Sequence, residues 1–395
     1  MLLHLREKRQ KMLGSRQHKI APLVSLGGVD PFDAVPLKME PYMHDLLKYC
    51  CTSIWKDFYR LEHKAGINLM SDFWMPLAFH DIALLHAFIA FSGHYASQTS
   101  PTDRRPSIIH HMQKAISQAN TRMAKPEAVS TEMLVVIALI AIIQNSHGAN
   151  ENWKHSMQGL RNLINFTGVR LEQKPLILGA IYRADLSGSI DTAQTPYFAD
   201  HFTLSKDPDF IPLSSGFAQF ECENVLDCRI KYNIQRIHST LIATCRQDAR
   251  DMAQVANCRF IFTACQYELL SFTCATLPDE LCRVSLLMYI LAVMDERPRT
   301  EMAYECLLLK FQCLWRLVKQ GLLTSQFKLW SLSVAITITR HCEILDWCLF
   351  ESSMVLNNLG ISTFDAFHDT LQDFLPVCDF RSRDVWGQHD GWRHR

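Results

Sequence analysis

Histidine and aspartate side chains that could hold a divalent metal occur together around the stretch FHDIALLHAFIAFSGHYA. His80 and Asp81 are adjacent, His63 lies upstream and Asp103 lies downstream. Imidazole and carboxylate ligands can hold a metal ion that activates water, as in helical metal-dependent phosphohydrolases of the HD type. An adjacent His-Asp pair is only a two-residue match, however, and the chain has 17 histidines to supply a neighbour.

The same residues also have a structural interpretation. Asp81 suits the start of a helix, where its charge faces the positive end of the helix dipole. His86 and His94 would then lie at the edge of packed helices. We adopt this interpretation and predict no metal site, and the metal-dependent phosphohydrolase remains the alternative.

Fourteen cysteines are distributed without the spacing of a zinc site. Thiolate ligands usually come in C-x₂₋₄-C pairs, whereas Cys50 and Cys51 are adjacent and Cys222 and Cys228 are separated by five residues. Others lie in apolar, helix-like sequence, where free thiols behave as small hydrophobic groups, and we expect a reducing compartment. Glycine-rich phosphate loops, the G-x-S-x-G elbow and the H-E-x-x-H pair are absent. The sequence therefore predicts no catalytic centre and no cofactor.

The first 19 residues are strongly basic, although the whole chain has 40 basic and 40 acidic side chains. Six cations stand against Glu7 alone, a net charge of six minus one, or +5. These cations are Arg6, Lys8, Arg9, Lys11, Arg16 and Lys19. The segment has three interpretations: a solvated tail, a nuclear-localisation or phosphate-contacting arm, and a mitochondrial transit peptide. Charges from Arg6 onward exclude a secretory signal.

The elements that must position any site have the period of helices. Apolar residues recur at helical spacing in SIIHHMQKAISQANTRM and in NWKHSMQGLRNLINF, with Asn152 as N-cap and Gly168 as stop of the latter. Residues 133–143 are apolar on all sides and predict a central buried helix capped by Ser130 or Thr131. Glycine is scarce, and no alternating strands occur. The fold class is therefore predicted to be all-α.

We divide the chain into a basic leader, 1–28, and a helical domain, 29–395. The domain has helical halves at about 40–186 and 217–378, with a loop-rich segment at 187–216 that collects Ser, Asp, Thr, Pro and Gly. In the second half, helical sequence covers 222–250, 256–276, 279–295, 300–320 and 326–349, with a last segment near 364–376. Pro41 is placed near the first turn of the first helix. The longest apolar run has eleven residues, short of the roughly 20 that a transmembrane helix needs.

With these blocks laid out in order, the chain resembles the fungal-specific transcription factor domain, the helical region found downstream of the Zn₂Cys₆ cluster in many fungal regulators. The matching blocks are VDPFDAVPLKMEPYMHDLLKYC (29–50), FWMPLAFHDIALLHAFIAFSGHY (73–95), HHMQKAISQANTRM (110–123), VSTEMLVVIALIAII (129–143), NWKHSMQGLRNLINFTGV (152–169) and IYRADLSGSIDTAQTPYF (181–198).

The resemblance implies a nuclear regulator of transcription, with or without shuttling to the cytoplasm, often one that controls secondary-metabolite genes. Such regulators read DNA through six cysteines that hold two zinc ions, whereas this sequence has no cysteine before Cys50. We therefore expect it to lack the DNA-reading module. Its expected partners are other transcription regulators or a DNA-bound protein, in a homodimer or heterodimer, with no membrane contact. A helical scaffold protein outside the nucleus is the remaining alternative.

One prediction concerns DNA directly. The purified chain should bind any duplex weakly, with an affinity that falls as salt rises from low to physiological concentration, because a short basic arm contacts phosphates without reading bases. Fluorescence anisotropy with unrelated duplexes measures this. Tight, sequence-selective binding by the chain alone contradicts it.

Overall fold

The computed structural model describes residues 37–99, 105–123, 130–168, 171–202, 212–246, 252–294, 304–318, 320–339, 341–375 and 382–393. The leader and its six basic residues lie outside these ranges. Within them the regular elements are helices and no strand occurs, which confirms the all-α class.

The first half of the chain forms α1 (Pro41–Tyr49), α2 (Trp55–Phe58), α3 (Arg60–Lys64), α4 (Met75–Ala78), α5 (Ile82–Thr99), α6 (Arg105–Met123), α7 (Thr131–Ser146), α8 (Asn150–Thr167) and α9 (Pro175–Thr192). The second half forms α10 (Ser215–Asn224), α11 (Cys228–Arg246), α12 (Met252–Leu270), α13 (Leu277–Met294), α14 (Glu305–Leu317), α15 (Ser325–Ile338), α16 (Cys342–Leu359), α17 (Phe364–Gln372) and α18 (Ser382–Arg393).

Several helix ends lie where the sequence predicts them. Pro41 is the first residue of α1. The Ser130 side chain accepts a hydrogen bond from the Met133 amide and caps α7. Gly168 ends α8 with a φ of 59°, in the left-handed region that glycine adopts readily. The start of α8 is different, because the helix begins at Asn150 rather than after Asn152.

Helix α7 is buried almost all round, as its apolar sequence predicts, and it packs against α5, α8 and α9. A second helix, α13, is buried even more completely. All its residues from Pro278 to Met294 are buried, and it packs against α12, α14 and α15. The sequence predicts a helix at 279–295, but it does not predict that this helix lies at the centre of the second half.

The predicted helix at 326–349 is two helices. Helix α15 ends at Ile338 because Thr339 adopts an extended conformation with ψ of 146°. Helix α16 then begins at Cys342. The break follows the run ITIT, whose β-branched side chains lose rotamer freedom in a helix.

The boundary of the loop-rich segment at residue 187 is wrong, because α9 continues to Thr192. Ser187, Gly188 and Ser189 are buried against neighbouring helices instead of forming a turn. The indole of Trp153 lies over Gly188 and donates a hydrogen bond of 2.8 Å to the carbonyl of Ala184. These small residues let α8 approach α9 closely.

Both halves of the chain contribute to one hydrophobic core. Across the halves, the Tyr182 ring of α9 packs edge-on against Tyr267 of α12, with centroids 5.5 Å apart. Within the second half, the Phe220 ring of α10 stacks on Phe327 of α15 at 4.3 Å. The amide of Gly216 donates to the carbonyl of Asp373 at 2.8 Å. Among the described helices, none has the length and apolarity required to cross a membrane.

Two glycines of α9 give a matched test of this packing. A Cβ at Gly188 would lie 2.0–2.5 Å from Trp153 ring atoms, whereas a Cβ at Gly179 would meet nothing within 4 Å. Gly188→Ala should lower the free energy of unfolding by about 1–3 kcal/mol or more, because the ring is held in place. Gly179→Ala should raise it by about 0.5–1 kcal/mol through lower unfolded-state entropy. Urea unfolding measures both, and equal effects of the two substitutions contradict the packing argument.

Candidate functional site

The residues proposed as metal ligands have separate structural roles. The His63 ring packs edge-on against Trp55, with centroids 4.7 Å apart. The Nδ1 atom of His80 lies 2.7 Å from the carbonyl oxygen of Pro76, one turn earlier. In the described part of the chain, no group of three or more His, Cys, Asp or Glu side chains could hold a metal. Asp103 lies outside the described residues.

Asp81 caps helix α5, as the structural interpretation predicts. Its carboxylate accepts hydrogen bonds from the Ala83 and Leu84 amides, at 2.9 and 3.1 Å. The guanidinium of Arg122 donates to both carboxylate oxygens, at 2.5 and 3.0 Å. Burial alone would raise the pKa of Asp81, but these hydrogen bonds outweigh it and hold the pKa below its usual value. The carboxylate is therefore already committed to protein partners.

The expectation that His86 and His94 lie at a packing edge is wrong, because both are buried. The Nδ1 atoms of His86 and His111 are 2.7 Å apart, and Tyr42 Oη lies 2.8 Å from His111 Nε2. Burial, together with a smaller effect of neighbouring histidines, lowers the pKa of each of the three histidines to about 4. They are neutral at pH 7. His86 and His111 join α5 to α6 and, through Tyr42, to α1. His94 joins α5 to Ser146 at the end of α7.

Asp185 is the centre of a second buried network, within the block IYRADLSGSIDTAQTPYF. Its carboxylate accepts hydrogen bonds from the Tyr197 and Phe198 amides, each at 2.9 Å, and from the Tyr267 hydroxyl at 2.8 Å. Burial raises the pKa of Asp185 to about 6, although these hydrogen bonds oppose the rise. The network joins α9 to the Pro-Tyr-Phe turn and to α12.

Two arginines, one in α9 and one in α12, bind the segment that contains α2 and α3. Arg259 of α12 donates two hydrogen bonds, at 2.7 and 2.6 Å, to the carboxylate of Glu62 in α3. The guanidinium of Arg183 lies 4.6 Å from the centre of the Tyr59 ring and donates to the carbonyl of Phe58. Charged pairs with two parallel hydrogen bonds fix orientation as well as distance. These contacts position α9 and α12 relative to each other.

A cleft of about 420 Å³ lies where the C-terminal end of α9 meets α11, the α12–α13 connection and α14. Its polar lining consists of three cations and three hydroxyl groups. They are Arg229, Arg283 and Lys310, together with Thr195, Ser271 and Thr273. Aliphatic side chains of α9, α13 and α14 and the ring of Phe272 form the rest of the wall. A volume of this size is in the range of small-molecule sites.

The carboxylates that pair with these cations are not part of the cleft lining. Glu280 accepts two hydrogen bonds from Arg283, at 2.7 and 2.5 Å, and one from Lys310 at 2.7 Å. Burial opposes ionisation of Glu280, but both cations outweigh it and lower its pKa to about 2. Asp227 accepts two hydrogen bonds from the side chain of Arg229. Among the described residues, no acidic side chain lines the cleft itself.

Phe272 fixes two of the guanidinium groups. The guanidinium carbon of Arg229 lies 4.0 Å from the centre of its ring, and that of Arg283 lies 5.8 Å away. The sequence does not predict this site, because its residues come from five separate helices and the connections between them. One signal was present: Glu280 and Arg283 lie three residues apart at the start of a long apolar run, where charged side chains need a buried partner.

Comparison with known proteins now identifies the class of the first half. The family model of the fungal specific transcription factor domain matches residues 46–220. This confirms the resemblance predicted from the sequence. The match supports a role in transcriptional regulation, and proteins of this family are generally not enzymes. No curated protein and no solved structure matches the chain.

The buried titratable groups predict how stability depends on pH. The three histidines have folded pKa values of about 4 against an ordinary 6.5, so stability should fall as pH falls from 6.5 to 4. Asp185 has the opposite effect on stability. Its pKa is raised from 3.8 to about 6, so on acidification the folded state binds a proton at a higher pH than the unfolded chain does. Asp185→Asn should therefore make the loss of stability on acidification steeper between pH 6 and 4. Urea unfolding at a series of pH values measures this, and equal slopes for the two proteins contradict it.

Proposed function

We propose that this chain is a transcriptional regulator or co-regulator of a fungal gene set of the secondary-metabolite type. It acts in the nucleus through contact with other regulators or with a DNA-bound partner protein, as one member of a homodimer or heterodimer. The single observation that carries the proposal is the match of residues 46–220 to the fungal specific transcription factor domain.

The mode of action rests on what the sequence provides for DNA recognition. The 395 residues contain no C-x₂-C pair, and residues 1–19 have a net charge of +5. Contacts with phosphates add affinity that depends on salt and not on sequence. We propose that selective action at particular genes comes from a partner that reads the bases. The resemblance to a regulatory and interaction domain supports this assignment.

The working unit extends beyond the matched segment. Phe217, near the end of that segment, packs edge-on against Trp330 and Phe374. The Ser214 hydroxyl donates to the carbonyl of Phe374 at 2.5 Å. Together with the pair of Arg259 and Glu62, these contacts bury surfaces of the matched segment against residues that follow it. The matched segment and the residues that follow it are therefore expected to act as one regulatory domain.

A truncation tests this coupling. Residues 46–220 expressed alone should be insoluble or lack a cooperative unfolding transition, because removal of the second half exposes fully buried aromatic rings such as Phe217 and Phe220. Residues 37–395 should remain soluble and unfold cooperatively. Circular dichroism during thermal denaturation compares them. A stable, cooperatively folded 46–220 fragment contradicts the prediction.

The regulatory role is tested by tethering. Residues 37–395, fused to an unrelated DNA-binding domain, should change the expression of a reporter that carries the matching DNA sites. Gly188→Ala, which disturbs packing, should weaken the effect, and Gly179→Ala should leave it unchanged. A reporter that is indifferent to the fusion, although the protein accumulates in the nucleus, contradicts a regulatory role.

Localisation and recruitment are tested with the full chain in its fungal host. A tagged copy should concentrate in the nucleus and occupy chromatin at particular genes. Replacement of the six leader cations by glutamine tests whether they contribute to nuclear import. Exclusive cytoplasmic signal contradicts the proposal and favours the scaffold alternative. Occupancy that persists when every candidate partner is deleted contradicts recruitment by a partner.

A further inference from the structure

We propose that the cleft between α9 and α14 binds a small organic carboxylate with an apolar body. The proposal rests on the charge, shape and composition of the cleft, and it goes beyond a role in transcription.

The charged side chains that line the cleft are positive. Arg229, Arg283 and Lys310 line the cleft, whereas Asp227 and Glu280 do not. Glu280 serves both Arg283 and Lys310, so this group of three has two positive charges and one negative charge. A ligand in the cleft therefore meets cations first, which favours an anion.

Lys310 and Arg229 supply hydrogen-bond donors for a ligand. The Lys310 ammonium has three N–H donors, one of which serves Glu280 Oε1. The guanidinium of Arg229 uses its Nε and Nη2 atoms on Asp227. Stacking on Phe272 holds this guanidinium in place, which reduces the entropy lost when it binds a ligand. Both side chains are partly exposed, so an incoming carboxylate can reach them.

The rest of the cleft lining indicates that the body of the ligand is apolar. Beyond the cations, the wall is formed by aliphatic side chains, including Ile190, Leu287 and Leu307. Burial of apolar surface against them favours a hydrocarbon or aromatic body rather than a sugar or a second charge. The mouth is formed by exposed polar residues, Thr195 and Thr273, which leave the cleft open to solvent. A single negative charge on an apolar body fits this arrangement.

Because of where the cleft lies, ligand binding should affect the stability of the whole domain. Its wall includes α9, which belongs to the matched segment, and α11, α13 and α14, which follow it. A ligand that contacts both parts binds the folded arrangement and not the unfolded chain. It should therefore raise the melting temperature of the whole domain.

The experiment uses the purified full chain, without DNA, and two carboxylate probes: 1-naphthoate and octanoate. Calorimetric titration should show at least one of them binding with a Kd of about 1 mM or tighter. The corresponding uncharged amide should bind at least about tenfold more weakly. Absence of binding by both carboxylates, or equal binding of the amides, overturns the proposal.

Two lysines provide a matched pair of variants. Lys310 and Lys231 are each about one third exposed, at 34% and 32%, and each forms one ion pair with a glutamate. Only Lys310 lines the cleft. Lys310→Met should weaken probe binding about tenfold, and Lys231→Met should change it by less than about twofold. Equal losses in both variants overturn the assignment of the site.

A third variant tests the location without changing the charge. Thr195 is exposed at the mouth, so Thr195→Phe should be tolerated by the fold and should occupy the cleft. It should abolish both probe binding and the rise in melting temperature. A Thr195→Ser variant should retain both. Unchanged binding by Thr195→Phe, in a protein with wild-type circular dichroism, places the probe elsewhere and overturns the proposal.

Discussion

The fold depends on the burial of two long apolar helices. Helix α7 is apolar around almost its whole circumference, and so is α13 after its charged first turns, so neither can lie at a surface. Each must be covered by other helices on every side, and the surrounding helices are arranged to do so. Helices α5, α8 and α9 cover α7, while α12, α14 and α15 cover α13. Direct contacts of α9 with α12 and α14 join the two groups.

The same constraint explains the polar sites. A charged group inside a tightly packed assembly is costly unless hydrogen bonds satisfy it. Near the N-terminal end of α13, Glu280 and Arg283 satisfy each other, and Lys310 completes the set. Asp185 is satisfied by two amides and two hydroxyl groups, including those of Tyr267 and Ser189. The cationic cleft is a consequence of where these buried networks reach the surface.

The structure and the family match together connect fold to function. The matched segment, residues 46–220, contains all of α7 and α9 but neither α13 nor α14. Its apolar surfaces are covered by the second half of the chain through aromatic stacking and the pair of Glu62 and Arg259. The residues after 220 are therefore part of the packing that holds the matched segment in place. Such coupling is the physical basis on which a regulatory domain could respond to a ligand or a partner.

Much of the local structure could be read from the sequence, because it depends on neighbouring residues. Pro41 begins a helix, Ser130 caps one and Gly168 ends one, as their chemistry predicts. The apolar run at 133–143 predicts a buried helix for the same reason. Asp81 also behaves as a helix cap, since its carboxylate accepts from amides two and three residues ahead.

Other features were decided by tertiary contacts. Gly188 and its serine neighbours look like turn residues in sequence, yet they lie in a helix because Trp153 fills the space above them. His86 and His111 are buried because α5 and α6 pack side by side, which their spacing along the chain does not reveal.

The sequence by itself determined the helical class, many helix ends and the resemblance to a regulatory family, because these depend on local periodicity and on residues close together in the chain. Only the tertiary structure placed Arg229, Arg283 and Lys310 around one cleft with their carboxylates behind it. The reason is physical: long-range ion pairs and packing among separate helices select which distant side chains meet, and no local pattern encodes that selection.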